Sequence, residues 1–167
     1  TRKNSITYRG NLARLIEQLI NEDKYDKAEK VADLAMKKMP VEDFGYYTLL
    51  EPYISAYYEI GSKEKARKLY KDVTKKYQEN LTYYSGLSKE TQERYLEEIV
   101  TDIERYRSLV DLVFVYNDKD LALKEKEKFN NFLKLFSAFE DEEPEPKNIR
   151  EERDIPVDTI DSILKLE

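Results

Sequence analysis

The chain has 167 residues, 40% apolar and 38% charged, which is enough for a domain with a real core and too much charge for a membrane span. It contains no Cys and no His, which excludes a thiolate nucleophile, a disulfide framework, thiolate or imidazole metal sites and a Ser-His-Asp triad. A net charge of −6 and a pI near 5 argue against sequence-independent nucleic-acid binding. No run of about 18 apolar residues occurs and no secretory leader is visible. The start at Thr1 rather than Met is expected of a piece of a longer protein.

Residues 1–8 show no clean period and read as a lead-in. Residues 9–39 predict two helices. Leu12, Leu15, Ile16, Leu19 and Ile20 recur at three- and four-residue steps, Asn21 to Lys24 make a polar turn, and Ala28, Val31, Ala32, Leu34, Ala35 and Met39 repeat the stripe. Pro40 ends it, since proline cannot continue a helix. Residues 44–77 repeat the scheme, with one face through Leu50, Tyr53, Ile54, Tyr57 and Tyr58 and the next through Ala66, Leu69, Tyr70 and Val73. Gly61 sits where a helix end needs a left-handed residue. Pro52, falling inside the first face, predicts a bend, with 44–50 as a separate turn or two.

Residues 79–87 read as a short irregular or helical element. Ser88 is a candidate N-cap for a long helix through Ile99, Tyr106 and Val113 to about Tyr116. Asn117-Asp118 turns the chain into a last helix, Leu121 to Phe136. Residues 140–154 form an acidic linker with two prolines, and residues 155–167 carry the pattern of a short amphipathic helix.

Alternating amphipathic helices invite comparison with the tetratricopeptide repeat, a helix pair of about 34 residues with small residues where the helices cross. With its first position at Arg9, that pattern puts Ala28, Ala32 and Ala35 at the crossings and Pro40 at the close. A second unit from Tyr47 places Ala66, Tyr70 and Val73 there, and a third from Ile103 places Ala122, with Lys126 at a normally apolar position. The expected fold is all-α: a right-handed solenoid of about three antiparallel helix pairs over residues 9–139, followed by the linker and tail.

Stacked first helices would line a concave groove. The candidate partner-groove residues are Glu17, Asn21, Thr48, Tyr58, Arg107, Asp111 and Phe114, beside Ile20, Glu51, Ser55, Glu59 and Val115. Tyr58 and Phe114 would be the aromatic anchors of a protein or peptide partner. The competing expectation is that the chain's own tail or long helix fills this groove. The carboxylate clamp of chaperone-binding tetratricopeptide domains is ruled out, because Ala13 and Glu17 stand where Lys and Asn are needed. Tyr53, Tyr57, Tyr70 and Tyr106, four of 14 tyrosines, fall on packing positions rather than on a ligand-stacking surface. Carboxylate pairs such as Glu97-Glu98 follow from 35 acidic residues, and no loop has EF-hand spacing. No catalytic, metal or cofactor residue is expected.

Four runs, YRGNLARLIEQLI (8–20), EKVADLAMKKMP (29–40), EPYISAYYEIG (51–61) and ENLTYYSGLS (79–88), carry a resemblance. Together they are similar to the C-terminal soluble region of large bacterial multi-pass membrane proteins related to protein O-mannosyltransferases. The most specific run is PYISAYYEIG, whose Pro52 a generic tetratricopeptide repeat would not require. The resemblance implies a docking tail on the extracytoplasmic side, serving a partner, a substrate or the parent protein's own membrane domain. It also implies that sugar transfer belongs to that membrane domain, so no catalytic residue carries over. A free-standing cytoplasmic scaffold that binds peptides is the alternative.

Overall fold

Among the described residues, the long helices follow the segments with apolar residues at three- and four-residue steps. In a computed structural model that describes residues 2–45 and 47–136, α1 spans Arg2–Asn21, α2 Tyr25–Lys38, α3 Val41–Phe44 and α4 Glu51–Ile60. Helices α5 (Lys63–Ser85), α6 (Lys89–Arg94), α7 (Leu96–Val115) and α8 (Lys119–Lys134) follow. A 3-10 turn at Tyr47–Leu49 precedes α4. No strand forms among the described residues, and the linker and tail expected at 140–154 and 155–167 lie outside them.

Helix α1 begins at Arg2, so the expected lead-in is helical from its second residue. The cause is a pair of polar residues that an apolar stripe does not count. Ser5 and Arg9 are buried on the same face as Ile16. The Arg9 guanidinium donates to the Met39 carbonyl at 2.7 Å and to that of Gly45, and the Tyr53 hydroxyl donates to the Arg9 carbonyl at 2.7 Å. Burial lowers the Arg9 pKa, yet a guanidinium keeps its proton. One side chain thus fixes the crossover from α2 to α4.

Pro52 makes no mid-helix bend. It stands in the first turn of α4, where its missing N–H would have had no helical partner anyway. Gly61 ends α4 with φ 87°, and the Ser62 N–H closes back on the Tyr57 carbonyl at 2.8 Å. Residues 79–85 are not a separate element. They extend α5, because Tyr70, Val73, Tyr77 and Leu81 continue one buried stripe. The helix expected from Ser88 to Tyr116 is broken at Tyr95 (φ −106°, ψ 18°), which divides α6 from α7. Asp23 and Asn117 take positive φ in the turns α1–α2 and α7–α8, a conformation their short polar side chains tolerate.

Three hairpins result: α1 packs on α2, α4 on α5, and α7 on α8. Helix α4 also lies against both α1 and α2, and α7 lies against α5. Ala28, Ala32, Ala35, Ala66 and Ala122 have no accessible surface, so backbones come close there without side-chain bulk. Tyr53, Tyr57, Tyr70 and Tyr106 are buried, as their packing positions require.

Asp118, at the start of α8, is only 1% exposed. Its carboxylate accepts bonds from the Tyr58 hydroxyl (3.0 Å) and from Arg67 Nε (2.7 Å), with Lys63 Nζ at 3.2 Å. The Arg67 bonds, followed by those from Tyr58 and Lys63, hold its pKa well below the usual carboxylate range. A depressed folded-state pKa contributes stability that is complete above the unfolded value of about 3.9 and is lost as pH falls through the folded value. Asp118→Asn should therefore cost about 2 kcal/mol at neutral pH. It should also flatten the decline of stability below about pH 4. Urea titrations across that range check this; parallel acid limbs in the two proteins would contradict it.

Candidate partner-docking site

The last hairpin is pinned to α5 by a buried polar ladder. The Tyr106 hydroxyl accepts from Gln78 Nε2 at 2.7 Å and faces Glu125 Oε2 at 3.4 Å. Glu125 is 6% exposed, and Tyr70 is wholly buried nearby. Burial, reinforced by the Glu125 charge, pushes the Tyr70 and Tyr106 hydroxyls far above their ordinary pKa, so both stay protonated. Phe129 stands edge-on to Tyr106 with centroids 5.1 Å apart. These contacts fix how α7 and α8 sit side by side.

Between those two helices runs a groove of about 480 Å³. Val110, Phe129 and Leu133 supply its floor, and Phe114, 41% exposed, stands open beside them. Arg107, Asp111, Lys126 and Asn130 make the rim. The Arg107 guanidinium lies 5.7 Å from the Phe129 ring centroid, and Lys126 Nζ lies 5.9 Å from that of Phe114. Phe114 also borders a smaller hollow of about 250 Å³ with Lys119 and Leu123.

The candidate groove residues divide. Arg107, Asp111 and Phe114 come together in this groove. Glu17 instead lines a separate hollow of about 270 Å³ between α1 and α4, with Ile20, Ser55 and Glu59. Asn21 is exposed at the end of α1 and Thr48 is half-buried in the 3-10 turn; neither lines either groove. Tyr58 is not an open anchor. Its hydroxyl is committed to Asp118, and its ring stacks on Tyr116 at 4.9 Å and 9°. The Tyr116 hydroxyl donates to Glu59 at 2.7 Å, and Ser108 donates to Glu51 at 3.2 Å. Side chains of α7 and of the turn after it thus meet this side of α4, and the candidate residues line two separate hollows.

Sequence reasoning missed the α8 wall. Phe129 is buried, whereas Lys126, Asn130 and half-buried Leu133 edge the opening. The available signal was Lys126 itself, a cation on a position that the repeat pattern fills with an apolar side chain. Elsewhere, Asn80 Nδ2 donates at 2.8 Å to both the Tyr47 hydroxyl and Asp102, and burial raises the Asp102 pKa. That arrangement ties α5 to α7 and to the 3-10 turn. Among the described residues no group of three or more His, Cys, Asp or Glu is placed to hold a metal ion, and no helix is long and apolar enough to cross a membrane. No protein-family model matches the chain, and no curated protein or solved structure matches it.

Floor and wall of the groove should respond differently to truncation. Phe129→Ala removes a buried ring packed on Tyr106 and should cost about 3 kcal/mol. Phe114→Ala should stay within about 0.5 kcal/mol of the parent. Thermal unfolding of the two variants decides; equal losses would place Phe114 in the core instead.

Proposed function

We propose that this chain is a non-catalytic docking domain of tetratricopeptide-like hairpins, the soluble tail of a larger membrane-embedded glycosyltransferase-like protein. The observation that carries the reading is the α7–α8 groove, where exposed Phe114 and half-buried Leu133 stand open over a floor of Val110 and Phe129, bordered by charged side chains. Exposed apolar surface of this kind, ringed by polar groups, is what a protein partner covers. The repeat assignment draws support from fully buried alanines at the expected crossings and from α4 lying across the preceding hairpin. The four sequence runs support the membrane-protein kinship and, through it, an extracytoplasmic position. With neither His nor Cys, the chain lacks the commonest general base and the strongest side-chain nucleophile.

Retention on the immobilised chain of multi-pass glycosyltransferase-like proteins from detergent-solubilised membranes tests this. Wild type should retain such a protein, and the pair Phe114→Ala with Leu133→Ala should retain at least about tenfold less. Retention of a protein with no membrane part would instead favour the free-standing scaffold. Sugar transfer from a lipid-linked donor by the purified chain alone would overturn the non-catalytic reading.

A further inference from the structure

We infer that the α7–α8 groove is the seat of one amphipathic helix with acidic flanks, supplied by a partner protein. This rests on the docking reading above and specifies the partner's chemistry. The first argument is geometric. Inside the molecule, the first hairpin receives α4 along the furrow between its own two helices, for α4 lies against α1 and α2 together. Along α7, Ser108 and Tyr116 face α4, whereas Arg107, Asp111 and Phe114 emerge on the opposite flank at 3.6 residues per turn. There the hairpin α7–α8 offers the same kind of furrow to an incoming helix. On α8, Lys119, Leu123, Lys126, Asn130 and Leu133 follow one another at three- and four-residue steps. They border about 20 Å of helix length, which suits a guest of about four turns with anchors at i, i+3, i+4 and i+7.

The second argument is charge. The chain carries −6, yet the furrow is edged by Arg107, Lys119 and Lys126 against a single carboxylate, Asp111. Arg107 and Lys126 rest over Phe129 and Phe114, and among the described residues neither is engaged in an ion pair. Their head groups stand ready at the mouth for carboxylates. A guest with Glu or Asp beside its apolar stripe completes these pairs, and a basic guest is repelled. A second copy docked about a two-fold axis would set the cationic rim against itself.

The test uses the whole 167-residue chain and two synthetic amphipathic helices with identical leucine stripes, one flanked by Glu and the other by Lys. Fluorescence anisotropy at low salt should show the acidic helix binding at least about tenfold more tightly. Phe114→Ala with Leu133→Ala should weaken it about tenfold, with the circular dichroism unchanged. Arg107→Glu with Lys126→Glu should reverse the preference. Equal binding of both helices, no binding of the acidic one, or a preference untouched by charge reversal overturns the inference. So does light scattering that shows a dimer abolished by Phe114→Glu, since the occupant is then a second copy. If the peptides fail while membrane-protein retention still depends on Phe114, docking stands and the acidic helix falls.

Discussion

The position of the last hairpin depends on one buried carboxylate. Asp118 sits in the turn between α7 and α8 and collects donors from α4 (Tyr58) and α5 (Arg67, Lys63). A carboxylate this deeply enclosed is tolerated only because charge-assisted bonds replace its water. Arg67 and Lys63 keep part of their side chains in solvent, so only one of the opposite charges is fully desolvated. That asymmetry lowers the desolvation penalty while retaining the directional bonds. The α7–α8 groove exists where it does because this turn is held against the middle hairpin.

Helix α4 joins the first hairpin to α5 and reaches the turn before α8, and tyrosine is the reason it can. Its three rings send hydroxyls in three directions. Tyr53 reaches the Arg9 carbonyl of α1, Tyr57 reaches Asp33 of α2 at 2.9 Å, and Tyr58 reaches Asp118. A phenol fills a wide crossing like Phe and still finishes on a hydrogen bond. Burial raises all three hydroxyls, Tyr53 to about 12, so each remains a donor under ordinary conditions. A chain with no Trp and no Cys meets its need for large, polar-tipped core residues this way.

Much of this was legible in the sequence, and the exceptions have physical causes. Ala28, Ala32 and Ala35 disclose their crossing because small residues at four- and three-residue steps let a neighbouring backbone come close on that face. Gly61 discloses its turn because a helix end that needs positive φ, here 87°, favours glycine. Arg9 discloses nothing, since its burial depends on carbonyls 30 to 36 residues away. The break at Tyr95 has no glycine or proline to mark it. Of the groove, the α7 residues followed from the repeat register, but Tyr58 did not behave as an open position. Whether a half-polar ring faces solvent or a partner helix depends on where α7 lies, and that placement follows from Asp118, a residue that reads locally as part of a turn.

The sequence separations of these contacts also order events in time. Helices adjacent in the chain make most of the contacts, so the hairpins can form from local pairings with little loop entropy. The bond from Tyr58 to Asp118 spans 60 residues and that from Arg67 spans 51. On loop-closure entropy alone, the middle hairpin is expected to form before this carboxylate finds its donors. A contact that forms after the folding barrier governs how long a folded chain survives rather than how quickly it is reached: its loss accelerates unfolding and leaves the folding rate nearly unchanged.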